Sequence, residues 1–508
     1  MLDFVRVCEV GIDKARDVVV KLLDLKDEST RSVVLCGRDG IGKTTLASAV
    51  FSSLELNDYK HCRINIQRDC SECDLKQLQE QVLKDLFGKK IEILNCEEGK
   101  NHLSKLFREA TSQPVFLFID NTLRRSDLVK LLPEDLSCLP NRSRILITTR
   151  KLEETDMIED AGVKRYEYIV NPLSEEDSKK FLCLKALGSV DKSFDKSLDI
   201  DGLLEICRGL PLVLEMVASK LLKLGNDVRA CKRTIEFLKD TLPKSERDLS
   251  EKTVDVVYNT LEKDLYKDAF LDITAFFNNW DERMVGYIVG EEALQAVKEA
   301  ALVKITEEGK VIVHDIVRAR GRKLSEGDRI TDHKSLKWAL EDTQRIEKLK
   351  GIWLRPPDDS HEFQLEAKDL ELMNRSLRIL HLGERNRLDG ESKEIFPNLR
   401  LLHITGHFGM ELTMLERLAV LQADLESSEE LPNSLCVPSL RILNLTGSKL
   451  ACLPNILGQL TRLEELNISR CKQLSSLPDG FGQLKSLMYL HMSGCSNLRY
   501  IPDDFVYS

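Results

Sequence analysis

Four side chains in the first third of the chain are of types that handle a phosphate and its metal ion. Lys43 and Thr44 close "GRDGIGKT" (37–44), where Gly37, Gly42, Lys43 and Thr44 have the GxxxxGK(S/T) spacing of a phosphate loop. Asp120 ends the apolar run of "PVFLFIDNT" (114–122), and Arg150 ends "RILITTR" (144–150). An ammonium group and a row of inward-pointing backbone N–H groups attract a polyphosphate. A hydroxyl and a carboxylate are hard oxygen donors suited to magnesium. Lys43 is therefore expected to reach the β- and γ-phosphates, with Gly40, Ile41, Gly42 and Thr45 completing the cradle around it. Thr44 and Asp120 are the candidate Mg2+ ligands, and Arg150 is placed to touch a γ-phosphate. Asn121 stands where proteins that hydrolyse ATP quickly often carry a second acid. A neutral amide can orient a water but is a far poorer base than a carboxylate, worth about 10² to 10⁴ in rate. Very slow hydrolysis is expected, with Asn121→Asp faster than the natural chain.

These residues need a scaffold, and the surrounding sequence supplies one. "RSVVLCGRDGIGKTTLASAV" (31–50) reads as strand, glycine-rich turn and helix. Further strands, "RINI" (63–66), "VFLFID" (115–120), "RILITTR" and "YEYIV" (166–170), alternate with helical segments. That alternation predicts a mainly parallel sheet covered by helices, with ligands at its carboxyl edge. Residues 1–172 are read as this P-loop domain. Residues 173–244 follow as a helical domain, opened by Ser174 with an acid three residues on, and containing "GLPL" (209–212), where Gly209 ends one helix and Pro211 begins the next. Within 245–330, "ALVKITEEGKVIVHDIVRARGRKL" reads as a hairpin turning at "EEGK" and a helix capped by Asp315, which suggests a winged helix.

Residues 331–348 are read as a linker and 349–508 as a repeat array. The units "LRILHLGER" (377), "LRLLHITGH" (399), "LAVLQADL" (418), "LRILNLTGS" (440), "LEELNISRC" (463) and "LMYLHMSGC" (487) recur with a period of about 23 residues. This is the leucine-rich pattern LxxLxLxxN/C, one short strand per turn, with leucines pointing into a shared core. Cys471 and Cys495 fall at the N/C position and are read as structural. Ligand binding would use the variable residues between the leucines, on the concave face. The array ends at "LRYIPDDFVYS" without a polar capping unit and is read as part of a longer protein.

Composition narrows the classes. The chain has 508 residues, 42% hydrophobic and 31% charged, enough for roughly three or four domains. A net charge of −10 gives no global reason to bind nucleic acid. Asp3, Arg6 and Glu9 interrupt the N-terminal apolar run, and nowhere do about 18 uncharged apolar residues run together, so no membrane span is expected. Fourteen cysteines without dense pairing suit reduced thiols of the cytosol. Cys70 and Cys73 have CxxC spacing but no partner pair, and are read as ordinary thiols.

Taken in order, the motifs resemble those of the plant intracellular immune receptors of the nucleotide-binding, leucine-rich-repeat class, over essentially the whole chain. The matching stretches are "VGIDKARDVVVKLL", "GRDGIGKTTLA", "FLFIDN", "SRILITTR", "GLPL", "FLDITAFF" (270–277) and "VHD" (313–315). "FLDITAFF" and "DHKSLKWAL" are similar to the branch whose members carry an N-terminal TIR domain. The fold the resemblance implies is an α/β P-loop NTPase domain followed by a helical domain, a winged-helix domain and a leucine-rich-repeat solenoid. The activity it implies is a switch held off by ADP and turned on by exchange for ATP, with Mg2+. By the same resemblance Pro211 packs on the base or sugar, and His314 holds the ADP β-phosphate. Val313 replaces the usual Met before that histidine, a mild apolar exchange. The implied partners are a pathogen effector or guarded host protein on the repeats, and further copies of the chain when ATP is bound. The signalling domain is expected to be missing, so a signalling partner would supply the effector domain. Two other readings stay open from the residues alone: a working P-loop ATPase coupled to a partner, and a repeat scaffold with an inactive nucleotide site.

Overall fold

The computed structural model describes residues 10–66, 72–109, 113–243, 245, 248–355, 363–373, 375–383, 386–389, 396–405, 415–425 and 437–502. Asp3, Arg6, Glu9, Cys70 and the side chain of Cys73 lie outside these. The chain divides into two units, residues 1–260 with 299–301, and residues 261–298 with 302–508.

In the first unit a five-stranded sheet has its three central strands rich in Val, Ile, Leu and Phe and buried on both faces, as a parallel sheet under helices requires, while its two edge strands are more polar and partly exposed. The five strands are β1 (Arg31–Cys36), β2 (Lys60–Asn65), β3 (Val115–Thr122), β4 (Arg144–Thr149) and β5 (Lys164–Ile169), all parallel, in the order β2-β3-β4-β1-β5. Alternate side chains feed two cores. Val33, Leu35, Phe116, Phe118 and Leu146 pack with Val19 and Leu23 of α1 (Asp13–Leu23) and with Leu46 and Val50 of α2 (Lys43–Ser53). Val34, Ile64, Leu117, Ile119, Ile145 and Ile147 pack with α3 (Glu72–Phe87), α4 (Cys96–Glu109) and α5 (Arg125–Leu131) on the other face. The result is a three-layer sandwich. The amino edge of the sheet is closed by Arg144, whose fully buried guanidinium donates to the carbonyls of Leu23, Asp24, Asp27, Ser29 and Ser143.

After the short α6 (Met157–Asp160) and β5, helices α7 (Glu175–Leu187), α8 (Ile200–Cys207), α9 (Pro211–Leu224), α10 (Val228–Thr241) and α11 (Leu249–Asn259) share one apolar core. Ser174 caps α7 by accepting from the Asp177 N–H at 3.1 Å. Gly209 has φ +63°, and a Cβ there would lie 2.3 Å from the Leu173 carbonyl oxygen. Only glycine fits that crossing, which sets Pro211 as the first residue of α9.

The second unit opens with α12 (Asp264–Phe276), which carries most of "FLDITAFF" and buries Phe270 through Phe276. β6 (Trp280–Asp281), α13 (Glu282–Val289), α14 (Glu291–Glu299), β7 (Lys304–Ile305), β8 (Lys310–Ile312) and α15 (Asp315–Leu324) follow, the strands forming an antiparallel sheet in the order β6-β8-β7. The helix cap differs from the expectation by one residue. His314, not Asp315, is the N-cap: its backbone is extended (φ −59°, ψ 140°) and its Nδ1 accepts the Ile316 N–H at 3.2 Å, while Asp315 has entered the helix. An imidazole nitrogen two residues upstream does the work normally assigned to a carboxylate.

An eight-stranded parallel sheet completes this unit: β9 (Arg329–Ile330), β10 (Gly351–Leu354), β12 (Ile379–Leu382), β14 (Leu401–Thr405), β15 (Val420–Asp424), β16 (Ile442–Asn444), β17 (Glu465–Asn467) and β18 (Tyr489–His491). The last six strands are the six repeat units read from the sequence. β11 (Phe363–Glu366) and β13 (Asn386–Asp389) pair separately. Residues 331–348 contain α16 (His333–Leu340) and α17 (Thr343–Ile346), and α18 (Ala367–Leu372) follows β11. Leu380, Leu402, Leu421, Leu443 and Leu466 are in register and fully buried in the solenoid core. The opposite face is apolar too. Ile379, Leu401, Val420 and Ile442 stand at one register level and are at most 2% exposed, whereas the same level reads Glu465 and Tyr489 in the last two strands. Helix α13 crosses this face: the Arg400 guanidinium donates to the Ile288 carbonyl at 3.3 Å, Arg283 pairs with Glu465 at 2.8 Å, and the Tyr287 hydroxyl donates to Glu464. Much of the repeat face thus packs against the winged helix of its own chain.

Two polar arrangements lie along that packing. Asp272, fully buried on α12, pairs with Arg329 (2.7 Å) and Arg378 (3.0 Å), and Asp268 pairs with Arg329, Lys350 and Arg378 at 2.8–3.2 Å. Burial works to raise the Asp268 carboxyl, but the Lys350 hydrogen bond and the two guanidinium charges hold it below the usual carboxylate range. Nearby, Trp353 stacks on His381 at 3.8 Å, and His381 Nε2 meets His403 Nδ1 at 2.6 Å. Cys471 and Cys495 donate their thiols to the Leu445 and Ile468 carbonyls, so both hold the repeat turns together.

Candidate functional site

The phosphate-type residues converge at the carboxyl edge of β1, β3 and β4. The loop after β1 takes two left-handed turns, Gly40 at φ +76° and Gly42 at φ +98°, and hands the chain to α2 at Lys43. A Cβ at Gly40 would come within 3.3 Å of Leu212 and Ser250, so the loop is cradled closely by the helical part of its own unit. Ile41 stands between Gly40 and Gly42. Its side chain is buried in the helical core with Leu182, Leu214 and Leu249 and fastens the loop from behind. The Leu212 N–H also donates to the Gly40 carbonyl, and the Pro211 ring lies 3.8 Å from where a Gly42 Cβ would be.

Lys43 Nζ lies over the loop, donating to the carbonyls of Gly37 (2.7 Å) and Arg38 (2.9 Å). Thr45 follows in the first turn of α2, whose N-terminal N–H groups favour an anion. Thr44 Oγ1 donates to Asp120 Oδ1 at 2.9 Å, and Thr148 Oγ1 donates to the same oxygen at 2.6 Å. Asp120 is 2% exposed, and burial pushes its carboxyl up against the opposing pull of those two hydroxyls. A cation beside it would restore the ionised form.

Strand order explains this convergence. β4 lies between β1 and β3, so Thr148 at its end reaches Asp120, and Arg150, just beyond, reaches the loop after β1. The β3–β4 register shifts between Ile119 and Thr122, a bulge that places Asp120 and Asn121 out of the β3–β4 ladder while Asp120 stays paired with Asn65 of β2. Asn121 takes the left-handed conformation at φ +65°, which Asn tolerates better than most residues. Its N–H donates to Thr148 Oγ1 (2.7 Å) and its side-chain amide donates to the Ile66 carbonyl (2.8 Å). Thr148 therefore fixes both residues of the bulge, a role the sequence did not single out. Arg150 pairs through Nε and Nη2 with the carboxylate of Asp39, inside the phosphate loop itself. The sequence shows the acid, Asp39, in a loop built to receive an anion, but not its partner, which the strand order brings to it. His314 belongs to the second unit, where it caps α15.

The donor set suits a magnesium nucleotide. Gly40 and Gly42 give the loop the backbone form that anion cradles use. Among the described residues no cluster of three or more His, Cys, Asp or Glu side chains could hold a metal by itself. One carboxylate and one hydroxyl are what magnesium needs when phosphates complete its shell.

A doubly covered parallel sheet with a phosphate loop, followed by a repeat solenoid, defines a P-loop protein with leucine-rich repeats. The NB-ARC domain family matches residues 12–192, and the Leucine Rich Repeat family matches residues 462–484. The chain is 26% identical over 496 residues to TMV resistance protein N of Nicotiana glutinosa, covering 92% of this chain and 41% of that protein. It is 28% identical over 496 residues to disease resistance protein RML1A of Arabidopsis thaliana, covering 92% of this chain and 48% of that one. Among solved structures, a signal transduction ATPase with numerous domains from Pyrococcus horikoshii, bearing a tetratricopeptide repeat sensor, aligns at TM-score 0.38 and 14% identity over 67% of this chain and 46% of that one. The chain thus carries an NB-ARC match and a leucine-rich-repeat match, and over most of its length it is similar to plant disease-resistance proteins. It spans less than half the length of either relative named above.

Proposed function

We propose that this chain is the nucleotide-gated core of an intracellular plant immune receptor of the TIR-type branch. ADP with Mg2+ holds it at rest and exchange for ATP turns it on. The observation that carries the reading is the convergence of Thr44 and Thr148 on the buried carboxylate of Asp120, beside Lys43 on the phosphate loop. Lys43 and the N–H groups from Gly40 to Thr45 bind the phosphates. Thr44 and Asp120 hold the metal, Arg150 answers a γ-phosphate, and Pro211 borders the base or sugar. His314 contributes the β-phosphate contact of the ADP state. Losing one such contact costs about 1 to 3 kcal/mol, enough to change the population of the resting state tenfold or more.

Hydrolysis is slow in this reading, because the side chain after Asp120 is an amide engaged with Ile66. Turnover resets the switch instead of driving work. The repeats recognise a pathogen effector or a guarded host protein, ATP-bound copies assemble, and a signalling partner or domain delivers the output. No helix among the described residues is long and apolar enough to cross a membrane, which is compatible with a cytoplasmic site of action.

Size-exclusion chromatography with light scattering, in ADP and then in a non-hydrolysable ATP analogue, tests the reading. The switch predicts a monomer in ADP and a larger species in the analogue when the recognised protein is present, with Lys43→Ala monomeric throughout. Identical behaviour of the natural chain and Lys43→Ala under every condition contradicts it.

A further inference from the structure

We propose that Asp39 sets the preference of this site between nucleoside diphosphate and triphosphate, by competing with the terminal phosphate for Arg150. The inference rests on the nucleotide-site reading above. Arg150 Nε donates to Asp39 Oδ1 at 2.5 Å and Nη2 pairs with Oδ2, so both prongs of the guanidinium fork engage one carboxylate. The partners come from different strands: Asp39 follows β1 within the phosphate loop, and Arg150 follows β4. The backbone of Arg150 is tied to β1, since the Cys36 thiol donates to its carbonyl at 3.4 Å. The Arg150 side chain is 40% exposed and that of Asp39 21%, so the fork can rotate away while its backbone stays in place.

A planar guanidinium serves one bidentate acceptor at a time. A γ-phosphate must take the fork from Asp39 and leave that carboxylate facing the incoming negative charge. A diphosphate lacks the third phosphate, so the pair persists when it binds. Asp39 therefore weakens triphosphate binding selectively and lengthens the resting state. Simple repulsion between Asp39 and the phosphates acts on both nucleotides, and the ratio of the two affinities separates the effects. For a pair of this exposure the ratio should move by about fivefold.

The test titrates ADP and a non-hydrolysable ATP analogue, each with magnesium, into the full chain by calorimetry. Asp39→Asn keeps the shape and removes the charge. Its analogue affinity is expected to rise about fivefold more than its ADP affinity. In an Arg150→Ala background the same exchange should leave the ratio unchanged. Parallel shifts for both nucleotides, or an equal ratio change without Arg150, would overturn the role of Asp39 while leaving the nucleotide site standing. Failure of the natural chain to bind either nucleotide would overturn both.

Discussion

Asn121 combines two jobs that the residue type alone does not separate. As a neutral amide after Asp120 it removes a base from the site; as a left-handed residue in a bulge it fastens β3 to the end of β2 through the Ile66 carbonyl. Asn121→Asp should therefore have opposite effects on rate and stability. Single-turnover ATP cleavage is expected to rise, because a carboxylate becomes available near the water. Stability should fall by about 1–2 kcal/mol in urea unfolding, since the donor to Ile66 is lost and an acceptor faces an acceptor. A variant no faster than the natural chain would show that residue 121 does not limit hydrolysis. Lys43, Thr44, Asp120 and Arg150 could be named from spacing because a phosphate loop and a strand-ending acid are local patterns. The bond of Thr148 to Asp120 and the pairing of Asp39 with Arg150 could not, since each depends on β4 lying between β1 and β3. Ile41 was named for its place in the loop, but its side chain belongs to the helical core, and no local pattern distinguishes backbone from side-chain service.

Elements were legible where their period was strong. Each strand expected in the first unit formed within a few residues of its place, and the six leucine repeats became six strands. β9 and β10 went unread because "RI" and "GIWL" precede any LxxLxL unit; the sheet recruits them by pairing β10 with β12 and β9 with β10. The apolar level Ile379, Leu401, Val420 and Ile442 reads as repeat consensus, and its burial depends on a winged helix far upstream in sequence. The concave-face expectation for ligand binding is sharpened accordingly, because α13 crosses that face and the level turns polar or aromatic only at Glu465 and Tyr489. Beneath the same packing, burial holds His381 down at about 3, with the neighbouring His403 ring adding to it, and burial holds His403 at about 4. Both rings refuse protons that the unfolded chain accepts below its usual value of 6.5. Their contribution to stability is complete above about pH 6.5 and is lost as pH falls toward those lower values. Urea unfolding of the second unit should lose about 3 kcal/mol between pH 7 and pH 5, and replacing both histidines with Gln should flatten that slope. A slope unchanged by the double replacement would contradict the assignment.

For the whole molecule, order of motifs carried more than any motif alone. A phosphate loop is common to many activities, and a leucine repeat to many more, but their succession through "GLPL", "FLDITAFF" and "VHD" is what makes the chain resemble the plant resistance proteins. Close packing groups the chain into two units, and in the second the segment of 261–298 and 302–324 and the repeats are joined through the Asp268–Asp272 ion cluster and the aromatic stack around Trp353. Burial of that kind is set by tertiary partners and leaves no periodic trace. The central claim is that the first unit holds a nucleotide whose identity sets the state of the chain. Denaturing the purified full chain and identifying what it releases tests this most directly. The account predicts stoichiometric ADP from the natural chain and none from Lys43→Ala. A natural chain that releases no nucleotide, and whose melting temperature is unmoved by added ADP or ATP with magnesium, would contradict it.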